Sequence, residues 1–184
     1  MSAELAAKLV PNNARVINDP AVPEATLVLF TDYQCPYCAH MDAVIQQAKN
    51  DYHDQLRIVV RNFPLSMHEN SKVAAQAVEA AAEQDALEEI SAYIFDNQDD
   101  WNGRRAGIAE VFINYAQKLH LDPTKFRADF ASQKIKERVE NDLQDALELG
   151  LEGTPTLVLD GRILAVDPTN YLTLQKPLDQ SLAD

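Results

Sequence analysis

From Ser66 to Gly150 the chain keeps helical periodicity for about 85 residues without a convincing strand, and strand-like apolar runs stand on both sides of it. Val73, Ala74, Ala77, Val78, Ala81 and Ala82 form one apolar stripe, and Leu87, Ile90, Tyr93 and Ile94 form a second. Ile108, Val111, Phe112, Tyr115, Ala116 and Leu119 continue at i, i+3, i+4, i+7. Asp122-Pro123 reads as an N-cap and first-turn proline, opening a short helix with Phe126 and Phe130 on one side. Ile135, Val139, Leu143, Ala146 and Leu147 mark a last helix, with Gly150 where a C′ glycine belongs. A segment this long is no loop, so it reads as an inserted helical subdomain.

The flanks complete the pattern. Residues 2–9 read as a short amphipathic helix closed by Pro11, and Arg15-Val16-Ile17 as a brief strand. Thr26 to Phe30 has the continuous aliphatic character of a strand covered on both faces. A helix starting at Cys35-Pro36 carries Met41, Val44, Ile45 and Ala48 at helical spacing, and a second strand over 55–63 is ended by Pro64. Thr156–Leu159 and Arg162–Leu164 flank Asp160-Gly161, a two-residue hairpin signal. A terminal helix is expected from Asp167-Pro168-Thr169, kinked or split at Pro177. Strand–helix–strand requires a parallel pair with a crossover, and the closing hairpin adds antiparallel strands to the same sheet. The fold class is α/β.

The only two cysteines, Cys35 and Cys38, lie two residues apart directly after the Thr26–Phe30 run. At the first turn of a helix, Cys35 faces unpaired backbone N–H groups and the positive end of the helix dipole. Both favour thiolate over thiol, so its pKa should fall. The spacing assigns two roles: Cys35 as the exposed nucleophile, and Cys38, one turn further in, as the resolving thiol. A metal reading competes. Tetrahedral zinc takes four ligands, and Cys35, Cys38 and His40 supply three, with His53, His68 or His120 as the fourth. Against it stand the lack of a second Cys-x-x-Cys and the helix-starting Pro36. Gly153-Thr154-Pro155-Thr156, just before the hairpin, reads either as a plain strand entry or as a cis X-Pro bond opposite the dithiol.

Composition excludes some classes. A formal net charge of −13 argues against nucleic acid and anionic membrane surfaces, which need a basic face. Two cysteines cannot staple a scaffold, and no run approaches the roughly 18 apolar residues of a membrane span. The first ten residues lack a basic n-region followed by an apolar core.

Phe30-x-Asp32-x-x-Cys35-Pro36-Tyr37-Cys38, then Arg61-Asn62-Phe63-Pro64-Leu65, the helical block and Gly153-Thr154-Pro155-Thr156 together resemble the DsbA-like family of thioredoxin-fold thiol–disulfide oxidoreductases, over about residues 15 to 182. The resemblance implies a thioredoxin fold with an inserted helical domain, the first over 1–64 and 151–184 and the second over 65–150. It implies that Pro155 is the family's cis-proline, facing Cys35 and Cys38 and holding substrate peptide with Thr154, while Pro36 and Tyr37 tune the site. It further implies a disulfide donor to cysteine-containing protein substrates, with no cofactor or metal and a separate redox partner that reoxidises the dithiol. Reductase or isomerase chemistry on the same fold is the near alternative, and a zinc- or peptide-binding chaperone-like module the distant one. The separate dimerisation domain of the isomerases is missing, so a monomer is expected. A donor belongs outside the cytoplasm, in the envelope or periplasm, with the export signal or anchor absent from this chain; a cytoplasmic protein is the alternative. One departure matters. Thioredoxin-like reductases often carry a buried acid six residues before the first cysteine, and here that residue is Leu29. Proton removal from Cys38 must then rely on other groups, with Asp32 and Glu24 as candidates. Trp101 reads as a packing anchor, His68 as a helix-start residue, and His40, Glu79, Glu83, Glu88 and Glu89 as solvated surface.

Overall fold

The computed structural model describes residues 3–183, so Ser2 of the expected first helix and the outermost ends of the chain lie outside it. The sheet has five strands: β1 (Arg15–Asn18), β2 (Ala25–Thr31), β3 (Leu56–Asn62), β4 (Thr156–Leu159) and β5 (Arg162–Leu164), in the order β1-β3-β2-β4-β5. β2 and β3 run parallel, joined by the crossover helix α2 (Pro36–Asp51) after a short first helix α1 (Ala3–Leu9); every other pairing is antiparallel. The fold is a thioredoxin fold carrying an inserted helical domain. Between β3 and β4 come α3 (Ser71–Ala82), α4 (Leu87–Asp96), α5 (Gln98–Trp101), α6 (Ile108–Lys118), α7 (Pro123–Ala131) and α8 (Gln133–Glu148), and α9 (Leu172–Ser181) closes the chain.

Period-2 alternation along β2 divides its side chains between two layers. Leu27 and Leu29 pack with Met41 and Ile45 of α2 and with Leu174 and Leu178 of α9. Val28 and Phe30 pack on the other face with Val59, Leu9 and Ala146. A third cluster fills the helical block and reaches the dithiol, so Cys35 and Cys38 sit in the seam between block and sheet. Trp101 is fully buried there, its Nε1 donating to the Ile94 carbonyl at 3.1 Å and its ring 5.1 Å from that of Phe112.

Three expectations need correcting. The last helix starts at Leu172, because residues 167–170 close a turn in which Asp167 Oδ1 accepts from Thr169 N at 2.9 Å. Pro177 lies inside that helix without splitting it. The loss of a proline N–H costs about 3 kcal/mol, and the full burial of Leu174 and Leu178 on either side of it opposes that cost. Glu79 is not solvated: it is 2% exposed, its carboxylate accepts from Arg15 Nε at 2.7 Å and Asn62 Nδ2 at 2.7 Å, and it forms an ion pair with Arg138 Nε at 3.2 Å.

The Arg61-Asn62 segment explains how the block is bolted to the sheet. Arg61 is buried, with Nε 2.8 Å from Asp142 Oδ1 and Nη2 2.6 Å from Asp145 Oδ2, both on α8, while Nη1 donates to the Lys8 carbonyl. Asp142 Oδ2 also accepts from Asn62 N at 2.9 Å and Asn62 Nδ2 at 2.8 Å. At the far end of the block, Asp122 Oδ1 caps α7 by accepting from Thr124 N at 2.8 Å and Lys125 N at 2.9 Å. Asp122→Ala is expected to lower unfolding stability by about 1 kcal/mol in a denaturant titration, with the slope unchanged.

Candidate active site

The strand ends and the helix begins within four residues. Cys35 is the N-cap of α2, with φ −78° and ψ 124° and no side-chain capping bond, and Pro36 takes the first helical position. Asp32 shapes the turn. Its buried carboxylate accepts from Gln34 N at 2.9 Å through Oδ1, and from Leu65 N at 2.9 Å through Oδ2, which also lies 2.8 Å from His68 Nδ1. Asp32 N donates to Cys38 Sγ at 3.4 Å. The helical block grips the same loop from outside. Gln98 Nε2 donates to the carbonyls of Tyr33 (2.8 Å) and Cys35 (3.1 Å), and Gln34 reaches Asn102 Oδ1 at 2.7 Å while accepting from Asn70 N at 2.7 Å. Both cysteines are free thiols in this structure.

The two thiols differ in acidity for visible reasons. The Cys35 pKa is lowered to about 6: hydrogen bonding from the Cys38 thiol is the largest cause, burial opposes it, and the backbone of Cys38, the Thr154 hydroxyl and the backbone of Tyr37 assist. Burial pushes the Cys38 thiol well above its ordinary value, and the neighbouring Cys35 adds to the shift. The pair is therefore one acidic and one basic sulfur. The first is poised as a thiolate, and the second holds its proton until it is removed.

Opposite the dithiol, the Thr154–Pro155 peptide is cis. Cys35 Sγ donates to the Thr154 carbonyl at 3.6 Å, across 119 positions of chain. Thr154 Oγ1 is buried beside the sulfurs, where its hydroxyl favours the Cys35 thiolate. Beside it a groove of about 500 Å³ is lined by Gly150 to Thr156 and Ile163. Ile163 is 59% exposed there, and Tyr37, 62% exposed at the helix start, does not line the groove.

Cys35, Cys38, Thr154 and Pro155 are thus brought together, but Cys35 is not exposed as expected. It is 4% accessible because the seam with the helical block, the Thr154 segment and Tyr33 enclose it. His40 stands exposed on α2, and among the described residues no cluster of three or more His, Cys, Asp or Glu could hold a metal ion. Neither carboxylate expected to serve Cys38 is placed for it: Asp32 is committed to the loop, and Glu24 is exposed beside Gln55, at the opposite end of β2. Gln34 and Gln98 were not foreseeable as loop clamps, since a glutamine contacts backbone only once tertiary structure brings it there.

Residues 15–180 match the protein family described as Thioredoxin. Over 148 residues, 80% of the chain, the sequence is 37% identical to part of a Na(+)/H(+) antiporter NhaA of Herminiimonas arsenicoxydans and covers 22% of that protein. The chain spans roughly a fifth to a quarter of the length of the curated relatives it matches. A thioredoxin-like oxidoreductase from Silicibacter pomeroyi DSS-3 superimposes with a TM-score of 0.76 at 26% identity, covering 97% of this chain and 98% of that one. Wolbachia pipientis alpha-DsbA1 shares the fold with a TM-score of 0.81 at 19% identity, covering 97% and 96%.

Proposed function

The chain belongs to the thioredoxin family, and on that premise we propose that it is of the DsbA-like kind, a protein thiol–disulfide oxidoreductase that donates disulfides through Cys35 and Cys38. In the oxidised pair, a substrate thiolate attacks Cys35 Sγ. A substrate–Cys35 bond forms, the Cys35–Cys38 bond breaks, and its electron pair goes to Cys38, which takes up a proton. A second substrate thiolate attacks the substrate sulfur of the mixed disulfide and expels Cys35 as thiolate. The substrate leaves with a disulfide and two electrons stay on the dithiol, so no cofactor takes part. A separate oxidant must re-form the pair. Thr154 and Pro155 hold the substrate peptide beside Cys35, with Pro36 setting the helix start and Tyr37 on the exposed rim.

One observation supports the donating direction: the Cys35 thiolate is stabilised at the start of α2, with its pKa near 6. Whatever stabilises the thiolate stabilises the reduced enzyme and makes the disulfide a better oxidant. Leu29, where an acid would assist a reductase, agrees with that direction. The substrates are cysteine-containing proteins, and donation suits an extracytoplasmic compartment. Equilibration with glutathione buffers, quenched by alkylation, is expected to give a potential above about −200 mV; a value near −270 mV would turn the assignment to a reductase.

A further inference from the structure

Leu29 leaves Cys38 without the carboxylate that would exchange its proton, yet the thiol is strongly buried and must gain or lose one in every turnover. Cys38 also lines a small cavity with about 20 Å³ open to the centre of a water molecule, to which Thr154 does not contribute. That is space for one water, which needs two to four polar partners. The apolar part of the wall includes Leu29, Ile17, Val60 and Phe95. Its polar part includes Cys38, Asp42, Gln46 and Ser91. Ser91 Oγ is buried in the same wall beside the Tyr33 hydroxyl and makes no other polar contact in the protein, so it keeps hydrogen-bonding capacity for a water. Asp42 is one turn after Cys38 on α2, and residues i and i+4 share a helix face.

We propose that Asp42, through a water held in this cavity, supplies the proton to Cys38 when the disulfide opens and removes it when the disulfide closes. The inference rests on the exchange reading above and names the proton path within it. On opening, the electron pair of the broken S–S bond goes to Cys38 Sγ, the water gives Sγ a proton and Asp42 replaces it. On closing, Cys38 attacks Cys35 Sγ in the mixed disulfide, and its proton passes by the same route to the Asp42 carboxylate. Asp42 is only partly covered, so it re-equilibrates with solvent.

The surroundings fit such a group. Burial raises the Asp42 carboxyl to about pH 6, and the charges of Glu88 and Asp96 on α4 add to the shift. Glu88 also lines the cavity, but Lys49 Nζ holds both its oxygens at 2.6 and 2.7 Å, and Gln46 Nε2 adds a contact at 3.3 Å. Tyr33, on the loop side, is held neutral by burial. β1 and β3 present Ile17 and Val60, which do not titrate. Among the described residues no cation and no hydrogen-bond donor engages the Asp42 carboxylate, so it alone of the acids around the cavity is free to trade protons. A group titrating near neutrality is the efficient exchanger at physiological pH.

The test separates the two thiols. Reduced protein is mixed with an aromatic disulfide that releases a coloured nitrothiobenzoate. Cys35 attacks first and releases one equivalent; Cys38 then attacks Cys35 Sγ and releases the second. In the unsubstituted protein the second phase should rise with pH through an inflection near 6, as the Asp42 carboxylate forms. Asp42→Asn should leave the first phase at full amplitude, slow the second by at least about tenfold and abolish its inflection, and Asp42→Glu should restore both. An unaltered second phase in Asp42→Asn, with the inflection retained, overturns the role of Asp42 while leaving the exchange reading intact. Absence of the first phase from the unsubstituted protein overturns the exchange reading and this proposal with it.

Discussion

Cys35→Ser is expected to reduce oxidation of a dithiol peptide to the uncatalysed background, while the variant stays folded, its stability at pH 7 within about 1 kcal/mol of the reduced parent's. The two halves of that result come from different physics. A serine hydroxyl in place of the thiol has no accessible alkoxide near neutrality, whereas Cys35, with its pKa near 6, is mostly thiolate at pH 7. The fold does not depend on the sulfur. Cys35 occupies the N-cap of α2 without making a capping bond, and serine at that position can cap the helix with its hydroxyl, adding about 1 kcal/mol. Lost turnover therefore cannot be assigned to lost structure. Cys38→Ser should behave differently: Cys35 still attacks a disulfide probe that carries no second thiol, the mixed disulfide forms, and it persists because the Cys38 thiol that would expel the probe is missing, so an adduct accumulates on a non-reducing gel. A holdase working through the Thr154–Pro155 groove would lose nothing in Cys35→Ser. Turnover retained in that variant would sink the dithiol mechanism.

Much of this site was readable from the chain because it rests on short-range rules. The Cys-Pro-Tyr-Cys run sets a cap, a first-turn proline and a one-turn offset between two sulfurs, and all three are local facts of helix geometry. The sheet was equally accessible, since residues 26–30 have the continuous β-branched and aliphatic character of a strand covered on both faces, residues 55–63 alternate in part and are rich in β-branched residues, and Asp160-Gly161 supplies the positive φ values of a tight hairpin. What sequence could not supply is partnership across distance. Glu79, one turn before the Glu83 C-cap of α3, looks like solvated surface; only the arrival of Arg15 from β1 and Arg138 from α8 makes it a buried counter-ion. Cys35 was expected to be exposed because a helix start usually is, and the inserted block covers it. Asp42 was visible in principle, four residues after Cys38 on the buried side of α2. No periodicity rule, however, says that α4 would leave a water-sized space there, or that Leu29 would line it.

The proton affinity of Cys35 makes the stability of the protein depend jointly on redox state and pH, with a definite sign. In the reduced folded protein the Cys35 pKa lies near 6, against 9.0 for the unperturbed thiol. Between those values the folded state binds one proton fewer than the unfolded chain, so the stability of the reduced form climbs by about 1.4 kcal/mol per pH unit within the window. The contribution is complete above pH 9, about 1.4 kcal/mol at pH 7, and lost as pH falls through 6. Cys38 is shifted the other way, by burial, and so opposes the gain only where an ordinary thiol would ionise, above about pH 9. The oxidised protein has neither thiol. Its other titrating groups, Asp42 and the paired carboxylates included, are common to both forms and largely cancel in the difference. Unfolding of reduced and oxidised protein at pH 6 and pH 8 should therefore give a reduced-minus-oxidised difference that grows by about 2 kcal/mol between the two, and reduced Cys35→Ser should show no such growth. The same difference measures direction. Each 1.4 kcal/mol by which folding favours the dithiol raises the couple by about 30 mV relative to an unfolded dithiol, so a reduced form that is the more stable at pH 7 is the thermodynamic mark of a donor. A difference that stays flat with pH removes the thiolate as the source of oxidising power, and one favouring the oxidised form at both pH values removes the donor assignment itself.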